Sequence, residues 1–233
     1  MSEPDIARRV AFGLISEVIE NGKLLSELTL KPNFMALKTA ERARAQRLAT
    51  EALRGLERVD RILSRYLNKK PPLKVMNILR LATFELCVGG EAYGVVNDAV
   101  NLVASQKKVS NFKGLVNAVL RNVSKSGPDN WFLMRPPRIP SWLRSPLKEF
   151  YGNQVIKAIE RVQSRIPPTD LTLKDPSHVI SYATFLEAEI VLGQSVRLQK
   201  AKQVSKLKGY DIGDWWVQDA AAAVPVRLLG RLN

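Results

Sequence analysis

The stretch FKGLVNAVLRNV, residues 112–123, sets Phe112, Leu115, Val116, Val119 and Leu120 along one side of a helix. Lys113, Asn117 and Arg121 recur every four residues on another side. One face is built to be buried and the other to be wet, which is the pattern of a surface helix on a folded domain. The helix is read over residues 111–124, with Lys107 and Lys108 just before it and Lys125 just after. A basic stripe with an amide at its centre can grip phosphates and offer a contact to a base edge; the plain alternative is a solvated helix face.

The same period runs upstream. Ile6, Val10, Leu14 and Val18, with Ala7, Ala11 and Ile15 beside them, give a core-facing helix closed by Asn21-Gly22. Thr39 is a candidate cap for a run in which Ala45, Leu48, Ala49, Ala52, Leu53, Leu56, Val59, Ile62 and Leu63 keep helical spacing, with a break near Gly55. Pro71-Pro72 opens a third helix through Leu73, Met76, Leu79 and Phe84 to Gly89-Gly90, and a fourth spans 94–106. Five helices joined by short connections predict an all-α bundle over residues 1–127.

Downstream the composition changes. Pro128, Pro136, Pro137 and Pro140, with Trp131 and Phe132, predict an ordered but irregular linker over 128–140. Ser141 is a candidate cap for a helix to residue 151, and a second helix is read over 154–164 before Pro167-Pro168. Short strands are expected at 170–174, 190–198 and 215–217, with a helix at 177–187 and another at 219–229. The fold class is therefore mainly α: a helical bundle followed by a small α+β connector over 141–210, then a short final segment, 211–233.

The charge is the unusual quantity. Lys and Arg number 36 against 22 Asp and Glu, a net +14 with a pI near 10.1. Residues 1–127 hold 21 of those cations and 12 of the acids, so the helical part carries most of the surplus. A polyanionic partner is expected. One cysteine and one histidine exclude an internal disulfide and a Cys/His zinc site, and no metal is expected. No secretory signal and no membrane span are visible, so a cytoplasmic protein with no membrane partner is expected.

Few residues invite covalent chemistry. Cys87, in FELCVGG, sits near a helix C-terminus among apolar neighbours, which suits a buried structural thiol. His178 follows Asp175-Pro176-Ser177 at a helix start, where capping is the ordinary role. No acid–base dyad, catalytic triad or phosphate-binding glycine loop can be assembled, so no catalytic residue is expected. Further basic candidates are Arg8-Arg9, then Arg42, Arg44 and Arg47, which share a helix with Glu41 and Glu51 and so favour intrahelical pairing, and Lys69-Lys70.

Several strings together resemble a known family. ARRVAFGLISEVIENG at 7–22, LRLATFELCVG at 79–89, YGVVNDAVNLV at 93–103 and above all FKGLVNAVLRNV at 112–123 are similar to the NusB-like RNA-binding helical domain. IPSWL at 139–143 and WWVQDAAAAVPVRLLG at 215–230 extend the resemblance to the RsmB (Fmu/Sun) cytosine-C5 methyltransferases of 16S ribosomal RNA. The resemblance implies a NusB-like bundle and a connector ahead of an S-adenosylmethionine-binding catalytic domain whose thiolate attacks cytosine. That glycine-rich loop and cysteine pair are not in these 233 residues, so the chain is expected to bind and position small-subunit ribosomal RNA without itself transferring methyl, with 211–233 as the start of the missing domain. By resemblance the RNA contacts include Arg8 and Arg9; the helical stripe adds Lys107, Lys108, Lys113, Asn117, Arg121 and Lys125. The chain is expected to be a monomer. The alternative is a NusB-like module for transcription antitermination with a protein partner, which the residues beyond 127 disfavour.

Overall fold

The computed structural model describes residues 5–200 and 203–229, in two compact units divided between Ser164 and Arg165. The first unit begins with α1 (Ile6–Asn21), capped by Asp5, whose carboxylate accepts from the Arg8 amide at 3.1 Å. Gly22 closes α1 in the left-handed region, φ 65°, where a side chain would be strained. Two short helices follow, α2 (Leu25–Thr29) and α3 (Pro32–Met35), anchored by buried Leu28 and Phe34. Neither has the length for a readable period. Next come α4 (Thr39–Arg54) and α5 (Leu56–Leu63), broken at Gly55 as the spacing predicts.

At the centre lies α6 (Leu73–Cys87), buried on nearly every side and contacting α1, α4 and α5. Two more helices pack on it: α7 (Ala92–Ser105) and α8 (Lys113–Leu133). The core they share includes Ile15, Ile62, Leu63, Ile78, Leu79, Val116 and Leu120.

Two caps differ from expectation. Thr39 and Ser141 are the first residues of their helices rather than the caps, which are Lys38 and Pro140.

The larger difference is the length of α8. The breaker Ser126-Gly127-Pro128 does not stop it, and residues 128–133, expected in an irregular linker, are helical. Proline inside a helix costs a backbone hydrogen bond, about 3 kcal/mol. Burial offsets it. Gly127 lies so near α6 that a Cβ there would stand 3.1 Å from the Cys87 sulfur, and Trp131 meets Phe84 edge-on with centroids 5.9 Å apart. The irregular part is confined to residues 134–140 and is strapped to α5. Arg58 donates to the carbonyls of Met134 and Arg135 at 3.1 and 2.9 Å, and Arg135 pairs with Glu57 at 2.6 Å. Helix α9 (Ser141–Gln163) is interrupted at Gly152, φ 78°, which matches two helices read on either side of residue 152.

The second unit is a four-stranded antiparallel sheet in the order β2-β3-β1-β4, built from β1 (Asp170–Leu173), β2 (Ala188–Leu192), β3 (Ser195–Leu198) and β4 (Trp215–Val217). Helix α10 (Val179–Leu186) lies between β1 and β2 in sequence and buries Ala183 and Leu186 with Leu171, Leu173, Val196, Leu198 and Trp215. The run 190–198, read as one strand, is a hairpin folded at Gly193, φ 54°. Because β4 pairs with β1, residues 215–217 complete this sheet rather than opening a separate element.

Asp170 ties the unit together. Its carboxylate takes two bonds from Arg197, at 2.7 and 2.8 Å, and one at 3.0 Å from the Ala220 amide that opens α11 (Ala220–Leu228). The Arg197 guanidinium, against the opposing cost of burial, holds the Asp170 acid below its ordinary range. A depressed carboxylate stabilises the fold above its unfolded value, and that stability is lost as pH falls through the folded value. Unfolding of the sheet, followed by tryptophan fluorescence, is therefore expected to become easier below about pH 4, and Asp170→Asn should flatten that dependence while lowering stability at neutral pH.

Candidate nucleic-acid interface

Between Asp98 and Asp129 the chain has no carboxylate residue, yet it carries Lys107, Lys108, Lys113, Arg121 and Lys125. All five are exposed, and none has an ion-pair partner among the described residues. This contrasts with the arginines of the neighbouring helices. Arg54 pairs with Glu51, Arg61 with Glu57 at 3.7 Å, and Arg80 with Asp60 at 2.7 Å. The first two pairs lie within α4 and within α5, the third links α5 to α6, and all three leave little field outside; the five cations around α8 project theirs into solvent.

Their placement violates a local rule. Lys113 is the first residue of a 21-residue helix whose first turn holds no acid, and Lys107 and Lys108 precede it in the turn from α7. Cations at a helix N-terminus oppose the macrodipole and cost a few tenths of a kcal/mol each. Added positive charge where backbone amides already point outward makes a strongly anion-attracting end. Local rules are usually broken for function.

The stripe borders a groove. Helices α7 and α8 enclose a cleft of about 520 Å3, with Val96 and Val100 among its apolar lining. Tyr93 and Asn97 line it from α7, four residues apart, and Asn117, Arg121 and Ser124 from α8. Two of the sequence-derived candidates, Asn117 and Arg121, thus meet at one cleft. The Asn117 amide is partly buried and makes no side-chain hydrogen bond among the described residues. Tyr93 is 81 % exposed. Residue spacing within one helix could not have found Tyr93, because its relation to Arg121 exists only across the α7/α8 packing.

Arg8 is placed elsewhere. Its guanidinium lies inside the first unit, where Nε and Nη2 donate to Glu85 at 2.9 and 2.7 Å and Nη1 donates to Asp98 at 2.5 Å. Hydrogen bonds to Glu85, working against burial, hold it above its ordinary value. Arg44 joins the cluster, 2.6 Å from Asp5 and 3.6 Å from Glu85, so its pairing is long-range rather than intrahelical. Two guanidiniums among three carboxylates make an internal cross-link without surplus positive charge. Arg9, by contrast, is exposed on α1.

Cys87 is 1 % exposed, and burial pushes its thiol up to about 12. It is a core residue with no thiolate to offer at neutral pH. His178 is exposed at the end of a short turn that Asp175 caps, ahead of α10. Among the described residues no group of three or more His, Cys, Asp or Glu side chains could hold a metal ion, and no helix is long and apolar enough to cross a membrane.

The model of the NusB family matches residues 5–125, which covers every helix from α1 to α7 and most of α8. A curated relative, ribosomal RNA small subunit methyltransferase B of Xanthomonas campestris, is 33 % identical over 125 residues, 47 % of this chain and 26 % of the relative. The protein of the same name from Sodalis glossinidius is 26 % identical over 242 aligned positions, 97 % of this chain and 55 % of the relative. The chain thus spans about half the length, or less, of the curated relatives it matches. A crystal structure described as PH0851 has the same fold at a TM-score of 0.57 and 14 % identity, over 98 % of this chain and 56 % of that one.

Proposed function

The chain belongs to the NusB family, and on that premise we propose that its helical unit binds RNA through the α7/α8 edge. We further read it as the RNA-positioning region of a small-subunit ribosomal RNA methyltransferase, the activity in the names of the relatives, with cytosine C5 as the target that the resemblance of its sequence strings implies. The observation that carries the binding reading is the set of five unpaired, exposed cations on a carboxylate-free stretch of chain. Phosphate neutralisation by such cations supplies sequence-independent affinity and releases counterions. Arg9 is kept as an additional phosphate contact; Arg8 contributes by holding α1 in place.

The residues described do not fit S-adenosylmethionine. Among the described residues the sheet is antiparallel throughout, without the parallel strand-to-helix turn on which dinucleotide-like cofactors rest, and the cysteine is buried in the helical core. The proposed contribution is affinity and orientation.

Salt titration of binding to a small-subunit ribosomal RNA fragment tests the reading. If the five cations each neutralise one phosphate of a single strand, the slope of log affinity against log salt is roughly −3 to −4. Arg121→Gln is expected to reduce that slope by about one and to weaken all RNA sequences alike. Absence of binding at low salt, or affinity indifferent to salt, would rule the electrostatic interface out.

A further inference from the structure

The cations explain attraction to RNA but not the shape beside them. A flat basic face would serve for phosphates alone; here the face opens into a cleft whose volume falls in the range of small-molecule sites, about 300–1,000 Å3. Its rim carries an aromatic ring almost wholly in solvent, Tyr93, on the side opposite an arginine, Arg121. An exposed tyrosine gains nothing from burial where it stands, and its ring is available to cover a flat partner. Asn117 supplies an amide from the α8 wall, and Val96 and Val100 make an apolar lining on the α7 wall. An asparagine amide can donate and accept at once, which is the requirement for reading the edge of a nucleobase.

We infer that the α7/α8 groove receives one unpaired RNA base, stacked on Tyr93 and met at its edge by Asn117, while Arg121 and Lys125 hold the adjoining phosphates. The inference rests on the RNA-binding reading above and narrows its ligand from RNA in general to a single-stranded or looped-out nucleotide. Charge complementarity favours this occupant. No lining residue is acidic, and of the two carboxylates adjacent to the lining in sequence, Glu91 is spent on the backbone amides of Tyr93 and Gly94 at 2.9 and 2.6 Å and Asp98 on Arg8 at 2.5 Å. The unsatisfied Asn117 amide, beside an apolar lining, lacks the partner that a base edge supplies. A duplex cannot fill the groove, because its bases are paired and its readable groove is too narrow for side chains, whereas an unstacked base can be splayed onto an aromatic ring.

The test compares the whole chain's affinity for a fluorescein-labelled single-stranded RNA with that for its duplex, by anisotropy at fixed salt. A 2-aminopurine placed in the single strand reports stacking. Tighter binding of the single strand and quenching of 2-aminopurine are expected. Tyr93→Ala should weaken single-strand binding roughly tenfold, as loss of one base–aromatic stack does, and leave duplex binding unchanged. Tyr93→Phe should restore it, and the exposure of this side chain means neither substitution disturbs folding, which circular dichroism checks. Equal affinity for both RNAs, or a silent Tyr93→Ala, would overturn the base pocket and leave the groove to a protein segment. If Arg121→Gln still lowers the salt slope in that case, RNA binding stands and only the pocket falls. If neither RNA binds at low salt, both readings fail together.

Discussion

Arg8→Ala is expected to cost the helical unit about 3–5 kcal/mol, the penalty for leaving buried charge uncompensated. The Arg8 side chain is 12 % exposed and its partners Glu85 and Asp98 only 9 % and 11 %, so none of the three can turn to water when the pair is broken. A surface arginine of the same helix would cost less than about 0.5 kcal/mol. The partners lie on α6 and α7, 77 and 90 residues away, so the loss should be felt across the bundle rather than as fraying of α1. Native-state hydrogen exchange at α6 amides reads it without assuming that the two units unfold as one. Arg8→Met combined with Glu85→Gln is expected to recover part of the loss, because it removes charge from both sides. The salt dependence of RNA binding separates this role from contact with RNA. It should be unchanged at RNA concentrations where the variant is folded. A slope reduced by one, with stability intact, would return Arg8 to the interface.

Arg8 and Arg121 show what spacing can and cannot disclose. Both are arginines on amphipathic helices, and both were legible as basic positions near apolar stripes. Arg121 is exposed without an ion-pair partner among the described residues, and its neighbours at i±4, Asn117 and Lys125, share its face and carry no acid. Arg8 is paired with Glu85 and Asp98, which belong to helices whose approach to α1 no local pattern encodes. The bundle itself was legible from α1 through the start of α8, since each helix has four turns or more of sustained period or a clear breaker at its end. Helices α2 and α3 were not, being held by one buried residue each. The strand expected over 190–198 hid a hairpin because its turn, Gly193-Gln194, is only two residues long and is flanked on both sides by short strand-like strings, Ile190–Leu192 and Ser195–Leu198. Likewise Tyr93 carries no signal of its own. Its significance arises from a helix that begins twenty residues later.

The second large effect concerns the helix that ran past its breaker. Trp131→Ala is expected to cost about 3–5 kcal/mol, the range for truncating a packed aromatic. Three contacts converge on this ring: Phe84 edge-on, the Arg58 guanidinium 5.3 Å from its centroid, and Gly55 at the α4/α5 break. Without it the main apolar anchor beyond the proline is gone, so residues 128–133 should lose helical protection and loosen the strap over α5. Phe132→Ala is the control, since that neighbour is 80 % exposed and should fall within about 0.5 kcal/mol of the parent. Gly55 makes the mechanism specific. A Cβ there would stand 2.7 Å from Cη2 of Trp131, too close for the ring to stay in place. Gly55→Ala alone should therefore destabilise by pushing the ring aside, whereas in the Trp131→Ala background the space is free and the added methyl should be neutral or stabilising through its helical preference. A double-mutant cycle with coupling of about 1 kcal/mol or more is expected. Additive losses would mean that Trp131 does not hold α8 against the α4/α5 corner and that another contact carries the helix through Pro128.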